Sequence, residues 1–194
     1  MPRPAVFLDR DGTLIEDVGY LDRLERLRFY PWSLEAIRLL RRAGYAVVIV
    51  TNQAGVSRGF VREPFVEETF QFIQGRLAAV GESLDGHYYC PHEPNAPLAA
   101  YRRECDCRKP RPGMIRQAAT DLGLDVARSV VVGDKWSDIA LARATGATAV
   151  LVRTGYGATQ ALMPPAGLKA DLVASNLIDA VGWALRELLR PVRR

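Results

Sequence analysis

The 194-residue chain is 48% hydrophobic and 25% charged, a balance that is typical of a folded globular protein and excludes an intrinsically disordered or collagen-like chain. Its 26 basic and 22 acidic residues give a formal net charge of +4, a surplus too small to predict a nucleic-acid partner. At roughly 150 residues per domain, the length predicts a single domain over residues 1–194.

Short apolar runs alternate with longer segments of helical period. In chain order they predict a strand at residues 5–8, a helix at 32–43, a strand at 45–50, a helix at 64–80, a strand at 85–89, a helix from Pro112, a strand at 129–132, a helix at 137–145, a strand at 148–152, a strand at 171–173 and a helix at 176–189. This alternation predicts an α/β fold, with a parallel sheet and helices on both of its faces.

Three of these segments carry the clearest signals. Residues 32–43 have Leu34, Ile37 and Leu40 on one helical face, and Gly44 suits the end of that helix. Residues 45–50 are almost wholly apolar and rich in β-branched side chains, as expected of a strand buried on both faces. Pro64 is expected at the first position of its helix.

The apolar runs are also short. None approaches the roughly 18 residues of a membrane span, and residues 1–5 lack the apolar core of a signal peptide. We therefore expect a cytoplasmic protein with no membrane partner. The one dense basic block, residues 190–194, is expected to be solvated.

Two carboxylates, Asp9 and Asp11, follow the first predicted strand. If the backbone stays extended there, both point to one side. Carboxylates this close repel unless a cation joins them or one binds a proton, which favours a metal site with separate nucleophile and acid roles. The Asp11–Gly12 step is equally typical of a simple turn.

Further polar residues follow other predicted strands. Residues 51–53, Thr-Asn-Gln, come after the second strand, Lys109 precedes the helix from Pro112, and Asp134 follows the strand at 129–132. Each alone is ordinary, because it could be a turn residue, a surface charge or a helix cap. Ligands of parallel sheets bind at the carboxyl ends of the strands, so together these residues predict one site at one sheet edge.

This order of segments resembles the four motifs of the haloacid dehalogenase superfamily of phosphotransferases. The resemblance implies a Rossmann-like sheet. No insertion large enough for a separate cap domain falls between Thr13 and Thr51, or between Val56 and Lys109 apart from residues 90–107. The resemblance also implies that Asp9 is the nucleophile that becomes an aspartyl-phosphate, and that Asp11 protonates the leaving oxygen and then activates water. Thr51 and Lys109 would stabilise the transferring phosphoryl group.

The same resemblance implies a catalytic Mg²⁺. Its ligands would be the carboxylates of Asp9 and Asp134 and the backbone carbonyl of Asp11. Asp138 would orient these residues without binding the ion itself. Magnesium prefers such hard oxygen ligands, and it lets an anionic carboxylate approach an anionic phosphate.

The three cysteines and one of the two histidines form a second cluster, Cys90, His92, Cys105 and Cys107. An odd number of cysteines beside a histidine favours a metal over a disulfide in a cytosolic chain, and a Cys₃His set suits a structural Zn²⁺. The residues between the two pairs have no evident core, so the metal would order them. The alternative is three unrelated buried cysteines and a chance histidine.

Within the superfamily, this zinc loop (about residues 90–107) narrows the resemblance to the D-glycero-D-manno-heptose 1,7-bisphosphate 7-phosphatase family. The motifs that carry it are residues 9–13, 51–56, 58–59, 90–92, 105–110, 112–114, 133–135 and 153–155. The resemblance implies removal of the 7-phosphate to leave heptose 1-phosphate, in nucleotide-activated heptose biosynthesis for lipopolysaccharide core or another glycan. It also implies a monomer.

By position, the resemblance implies these substrate contacts: Asp9, Arg10, Asp11, Asp17, Val18, Gly19, Tyr20, Thr51, Asn52, Gln53, Ala54, Arg108, Lys109 and Lys135. Arg108 is the specificity candidate, because a guanidinium can hold a second phosphate by two parallel hydrogen bonds; otherwise it is a surface arginine beside the zinc loop. Glu93 stands where a second histidine often follows in the family, so His92 alone is the expected ligand. Without a cap, residues 17–30 and the zinc loop are expected to close the site.

Three other functions compete with this one. Histidinol-phosphate phosphatases of the same superfamily carry a similar zinc loop. A phosphatase acting on nucleic-acid ends would suit a capless site, but no stripe of aromatic and basic residues supports it. A non-catalytic zinc-stapled binding module is expected to lack Asp9 or Asp11, and both are present.

Overall fold

Six parallel strands form one sheet in the computed structural model, which describes residues 2–188. The strands are β1 (Arg3–Leu8), β2 (Ala46–Asn52), β3 (Gly86–Cys90), β4 (Leu124–Gly133), β5 (Thr148–Val152) and β6 (Leu172–Ala174). Their spatial order is β3-β2-β1-β4-β5-β6. Strand order reverses between β1 and β4, and in such sheets the crevice beyond the carboxyl ends at this point binds the ligand.

Helices cover both faces of the sheet, as predicted. They are α1 (Ser33–Arg42), α2 (Ala54–Ser57), α3 (Glu63–Ala78), α4 (Gly113–Leu122), α5 (Trp136–Thr145), α6 (Gly157–Leu162) and α7 (Leu177–Leu188). Side chains of α1, α3 and α7 pack with one set of alternating strand residues, represented by Leu8 and Ile49. Side chains of α4 and α5 pack with the opposite set, represented by Phe7 and Val48. The alternation of strand side chains thus divides the core into two layers.

All six predicted strands and the five predicted helices are present, with shifted ends. Strand β4 begins five residues before the predicted Ser129, because its polar first half, next to Arg3 and Pro4 of β1, lacks an apolar pattern. The short helices α2 and α6 were not predicted, since four and six residues are too few for a periodic pattern. Pro64 is the second residue of α3 rather than the first. The final helix is described to Leu188, and residues 190–194, the basic block, lie outside the described part.

The connections that approach the carboxyl edge are loops with little regular structure. Three-residue 3-10 turns occur at Leu24–Arg26, between β1 and α1, and at Ala99–Tyr101, between β3 and α4. Within residues 2–188 no separate cap domain stands over this edge, which agrees with the prediction. None of the helices in that range is long and apolar enough to cross a bilayer.

Candidate active site

Asp9 lies directly beyond β1, where its backbone N–H donates to the carbonyl of Val132 (2.9 Å) and extends the ladder to β4. Its carboxylate is buried, and its Oδ1 lies 2.9 Å from Lys109 Nζ. Burial alone would raise the pKa of Asp9, but the charges of Lys109 and Lys135 hold that pKa below its usual value. The most nucleophilic form of this carboxylate, the anion, is therefore the stable one.

Lys109 reaches Asp9 from the segment that follows the zinc loop. Its backbone N–H donates to Asn52 Oδ1 (3.0 Å), and Asn52 Nδ2 donates back to its carbonyl (3.2 Å). Its buried ammonium lies 2.6 Å from Asp138 Oδ1; burial opposes its charge, but Asp138 and Asp9 raise its pKa. Asp138 thus holds the lysine. The side-chain amide of Asn52, predicted to contact substrate, is occupied in positioning the lysine backbone, and the substrate contact stays a prediction.

Asp11 is held at the cavity wall by two donors. The buried guanidinium of Arg10 lies 2.9 Å from Asp11 Oδ2, and Gln53 Nε2 donates to the same oxygen (3.0 Å). Gln53 Nε2 also donates to Thr51 Oγ1 (2.9 Å), and its Oε1 accepts from Arg10 (2.9 Å). The resemblance places Arg10 among the expected substrate contacts, but its role in holding Asp11 was not predicted. A cation between two carboxylates that must otherwise repel is the signal that could have identified it.

Asp134 is fully buried at the end of β4. Its Oδ2 accepts from the backbone N–H of Tyr156 (2.8 Å), whereas its Oδ1 has no hydrogen-bond partner and faces Lys135 Nζ at 3.3 Å. Burial and then the charge of Asp9 raise the pKa of Asp134 to about 7. A bound cation would relieve both effects, so this orphaned oxygen beside a second carboxylate fits a magnesium ligand.

Two backbone positions that approach the Asp134 carboxylate leave no room for a side chain and are occupied by glycine. Gly12 has a φ of +80°, and a Cβ there would overlap Asp134 Oδ2. The same oxygen would meet a Cβ at Gly155, so both backbones approach the carboxylate closely. Asp138 also lies within reach, since one carboxylate oxygen from each of Asp9, Asp134 and Asp138 falls within 4.8 Å of the others. Its bonds to Lys109 and to the N–H of Lys135 agree with a supporting rather than a ligating role.

The loop at residues 17–20 closes one side of the site. Asp17 Oδ2 lies 3.4 Å from Lys135 Nζ, and Asp17 Oδ1 accepts from the N–H of Gly19 (2.8 Å). The ammonium of Lys135 also lies 4.7 Å from the ring centroid of Tyr156. Burial disfavours the charge of Lys135, but Asp9, Asp134 and Asp17 raise its pKa. A second cation therefore lies in the site, against Asp17 and Asp134, whereas Lys109 lies against Asp9 and Asp138.

A cavity of about 470 Å³ opens between these elements. Its lining includes the predicted residues Asp9, Asp11, Asp17, Gly19, Tyr20, Thr51, Asn52, Gln53, Ala54, Arg108, Lys109 and Lys135. Val18 is absent from this lining, because its side chain packs against the core and its carbonyl accepts from Arg26 (2.9 Å). The lining also includes Ser137 and Tyr156, which the sequence did not indicate.

Cys90, His92, Cys105 and Cys107 converge beside the cavity. The three Sγ atoms lie 3.1–3.5 Å apart, and His92 Nδ1 lies 3.3 Å from Cys107 Sγ. All three cysteines are free, and one ligand atom from each of the four residues falls within 4.8 Å of the others. Burial and then the charge of Arg103 lower the pKa of His92, which favours the neutral imidazole that a metal requires. The donor set and its closed arrangement fit a structural Zn²⁺.

Comparison with known proteins gives a consistent family. The chain is 44% identical over 177 residues to the D-glycero-beta-D-manno-heptose-1,7-bisphosphate 7-phosphatase of Escherichia coli O6:H1, covering 91% of each chain. It is 42% identical over 191 residues to the protein of the same name from E. coli K12, covering 98% of this chain and 97% of the other. The chain belongs to the heptose 1,7-bisphosphate 7-phosphatase family. The resemblance predicted from the motifs is therefore confirmed.

Two further comparisons agree with membership of this heptose bisphosphate phosphatase family. A family model described as HAD-hydrolase-like matches residues 106–180. A crystal structure of the heptose 1,7-bisphosphate phosphatase from B. bronchiseptica, complexed with magnesium and phosphate, superposes with a TM-score of 0.83 at 31% identity. That alignment covers 95% of this chain and 99% of the other. The haloacid dehalogenase-like fold and the enzyme class, a phosphoric monoester hydrolase, are confirmed.

Proposed function

We propose that this protein is a Mg²⁺-dependent phosphatase that hydrolyses the 7-phosphate of D-glycero-D-manno-heptose 1,7-bisphosphate and leaves heptose 1-phosphate, in nucleotide-activated heptose biosynthesis for lipopolysaccharide core or another glycan. The observation that carries the proposal is the composition of the cavity. The buried Asp9–Lys109 pair supplies a nucleophile with a cation for one phosphate, and Arg108 on the same lining supplies a second cation for the other. The names of the close relatives support the same substrate.

The reaction proceeds in two displacements. The carboxylate of Asp9 attacks the phosphorus, the bond from phosphorus to the C7 oxygen breaks, and Asp11 donates a proton to that oxygen. Water then attacks the phosphorus of the aspartyl-phosphate and gives a proton to Asp11. The bond from phosphorus to the Asp9 oxygen breaks, so inorganic phosphate is released and the Asp9 carboxylate is restored. The Lys109 ammonium and the Thr51 hydroxyl donate to the phosphoryl oxygens. The bonds from Arg10 and Gln53 keep the Asp11 carboxyl oriented for both steps.

Asp9, Asp134 and the backbone carbonyl of Asp11 would hold the magnesium ion. When bound, it supplies positive charge that lets an anionic carboxylate approach an anionic phosphate. The Oδ1 of Asp134, which accepts no hydrogen bond, supports this assignment. Zn²⁺ would bind Cys90, His92, Cys105 and Cys107 as a structural ion.

The proposal also covers location and assembly. Three reduced cysteines that would act as metal ligands support a cytoplasmic location. We further propose that the protein is a monomer whose residues 1–194 form one domain.

Arg108 is proposed to read the C1 phosphate. Its Nη1 donates to the carbonyl of His92 (2.9 Å), which fixes the guanidinium beside the cavity and leaves further N–H donors for a ligand. The loop at residues 17–20 would contact the sugar from the opposite side. This arrangement supports recognition of a sugar that carries a phosphate at each end.

Arg108→Ala is expected to lower kcat/KM for the bisphosphate about 10- to 100-fold, because a charge-assisted hydrogen bond contributes roughly 1.5–3 kcal/mol. Hydrolysis of heptose 7-phosphate, which lacks the C1 phosphate, should change less than about threefold. Steady-state phosphate release on both substrates measures the difference. The exposed Arg111, three residues along the chain, provides a matched control as Arg111→Ala. Equal losses on the two substrates would show that Arg108 reads no second phosphate.

The decisive test of the proposed substrate is phosphate release with Mg²⁺ across a panel. It contains both anomers of heptose 1,7-bisphosphate, fructose 1,6-bisphosphate, histidinol phosphate and a 3′-phosphorylated oligonucleotide. We expect one heptose bisphosphate anomer to lead in kcat/KM by on the order of 100-fold or more, since two charged recognition points separate it from a monophosphate. A lead for histidinol phosphate would preserve the fold and chemistry and refute the proposed substrate.

A further inference from the structure

Arg58 and Glu93 form an ion pair at the edge of the cavity. Arg58 directly follows α2, and Glu93 directly follows the cluster residue His92. Arg58 Nε donates to Glu93 Oε2 (2.8 Å) and Arg58 Nη2 donates to Glu93 Oε1 (2.7 Å), a parallel two-bond arrangement. Such bidentate pairs are the strongest and most directional ion pairs available to arginine. The pair joins two segments that are 35 residues apart in the chain.

Two cavity-lining residues contact this pair. Arg58 Nη1 donates to the hydroxyl of Tyr20 (2.5 Å), and its guanidinium carbon lies 5.9 Å from the centroid of that ring. On the other side, Arg108 Nη2 lies 3.6 Å from Glu93 Oε1. The Glu93 carboxylate therefore lies between two guanidinium groups, and it is mostly buried, with 17% of its side chain exposed.

The charges of Arg58 and Glu93 determine whether the Arg108 guanidinium keeps its positive charge available for an anionic ligand. Arg58, Glu93 and Arg108 sum to one positive charge. Since Arg58 binds both carboxylate oxygens at 2.7–2.8 Å and Arg108 approaches only one at 3.6 Å, Glu93 is neutralised by Arg58. Without Arg58, a poorly hydrated carboxylate would pair with Arg108 and compete with an anionic ligand for the same donors.

We propose that Arg58 is a positioning residue: it neutralises Glu93, so that Glu93 orients the Arg108 guanidinium without cancelling its charge toward a second phosphate. This inference rests on the proposed function, because it presumes that Arg108 binds the phosphate remote from the reacting one. It predicts that removing the charge of Arg58 weakens binding of the bisphosphate only while Glu93 is present.

The test compares Arg58→Gln, Glu93→Gln and the double variant in zinc-loaded, Mg²⁺-supplied enzyme. For the bisphosphate, Arg58→Gln should raise KM about 10-fold with kcat changed less than about twofold, because only binding of the remote phosphate is affected. Glu93→Gln should raise KM about threefold through looser orientation of Arg108. The double variant should match Glu93→Gln and thereby recover most of the loss. Heptose 7-phosphate should respond to none of them.

Arg62→Gln is the control, since Arg62 is an exposed arginine that lies 3.4 Å from Glu68. Zinc content, measured on every variant, reports whether the zinc loop, which contains Glu93, stays folded. A double variant as impaired as Arg58→Gln, or equal losses on both substrates, would overturn the inference. The proposed function would stand in that case as long as the wild-type enzyme prefers the bisphosphate. A wild-type enzyme without that preference would overturn both.

Discussion

Asp9→Asn is expected to reduce phosphate release by on the order of 10⁴-fold or more, the scale on which loss of a nucleophile acts. An amide has nearly the shape of the carboxylate but cannot form the phosphorylated intermediate. The fold should not suffer, because Lys109 keeps its 2.6 Å contact with Asp138. The change also removes a negative charge that raises the pKa of the buried Asp134.

The measurement therefore has two parts that should move differently. Single-turnover phosphate release should vanish, whereas the midpoint of thermal unfolding without added Mg²⁺ should move by no more than a few degrees, because loss of the Asp9–Lys109 pair and relief of the repulsion on Asp134 oppose each other. Asp121→Asn, at an exposed aspartate on α4 that bonds to Tyr88, is the matched control and should keep full activity. Substantial turnover by Asp9→Asn would eliminate the aspartyl-phosphate mechanism. A large fall in stability would instead show that Asp9 is needed for folding.

Cys107→Ser is expected to lose the zinc ion and lower kcat/KM about 100-fold, although Cys107 does not line the cavity. A displacement near 1 Å in a catalytic group is enough for such a loss. Cys107 is followed directly by Arg108 and Lys109, so disorder at the cysteine reaches the substrate-binding segment. Burial holds little of the zinc loop, because the residues between His92 and Cys105 are exposed or half-buried except Ala96. Its ties to the rest of the fold are polar, through Arg58 to Glu93 and Tyr101 to Glu63.

Zinc content by atomic emission should be close to one ion per wild-type chain and near zero in Cys107→Ser. Limited proteolysis should cut the zinc loop of the variant, while circular dichroism retains the signal of the sheet. Glu104→Gln, a neighbouring exposed position that pairs with Arg111, should keep both zinc and activity. Full activity in a zinc-free protein would show that the ion has no part in positioning Lys109.

The arrangement of elements could be predicted from the chain because it depends on burial. The apolar, β-branched run at residues 45–50 belongs in a strand with two covered faces, and the structure places it at β2, an internal strand between β3 and β1. The convergence of polar residues followed from the same reasoning. Once the strands are parallel, the residues at their carboxyl ends must meet at one edge. Asp9 and Asp134 directly follow β1 and β4, and Thr51 is the next-to-last residue of β2.

The partner of each side chain was decided only by the tertiary structure. Arg10 bonds to Asp11 and Gln53, Asn52 bonds to the backbone of Lys109, and Arg58 pairs with Glu93. Burial patterns repeat every two or three to four residues and determine which face of an element is covered, so they are visible in the sequence. Hydrogen bonds and ion pairs form or fail over less than 1 Å. Apart from Arg10 and Asp11, the residues paired here are 35–57 positions apart in the chain, so their atoms come within bonding distance only once the loops have packed.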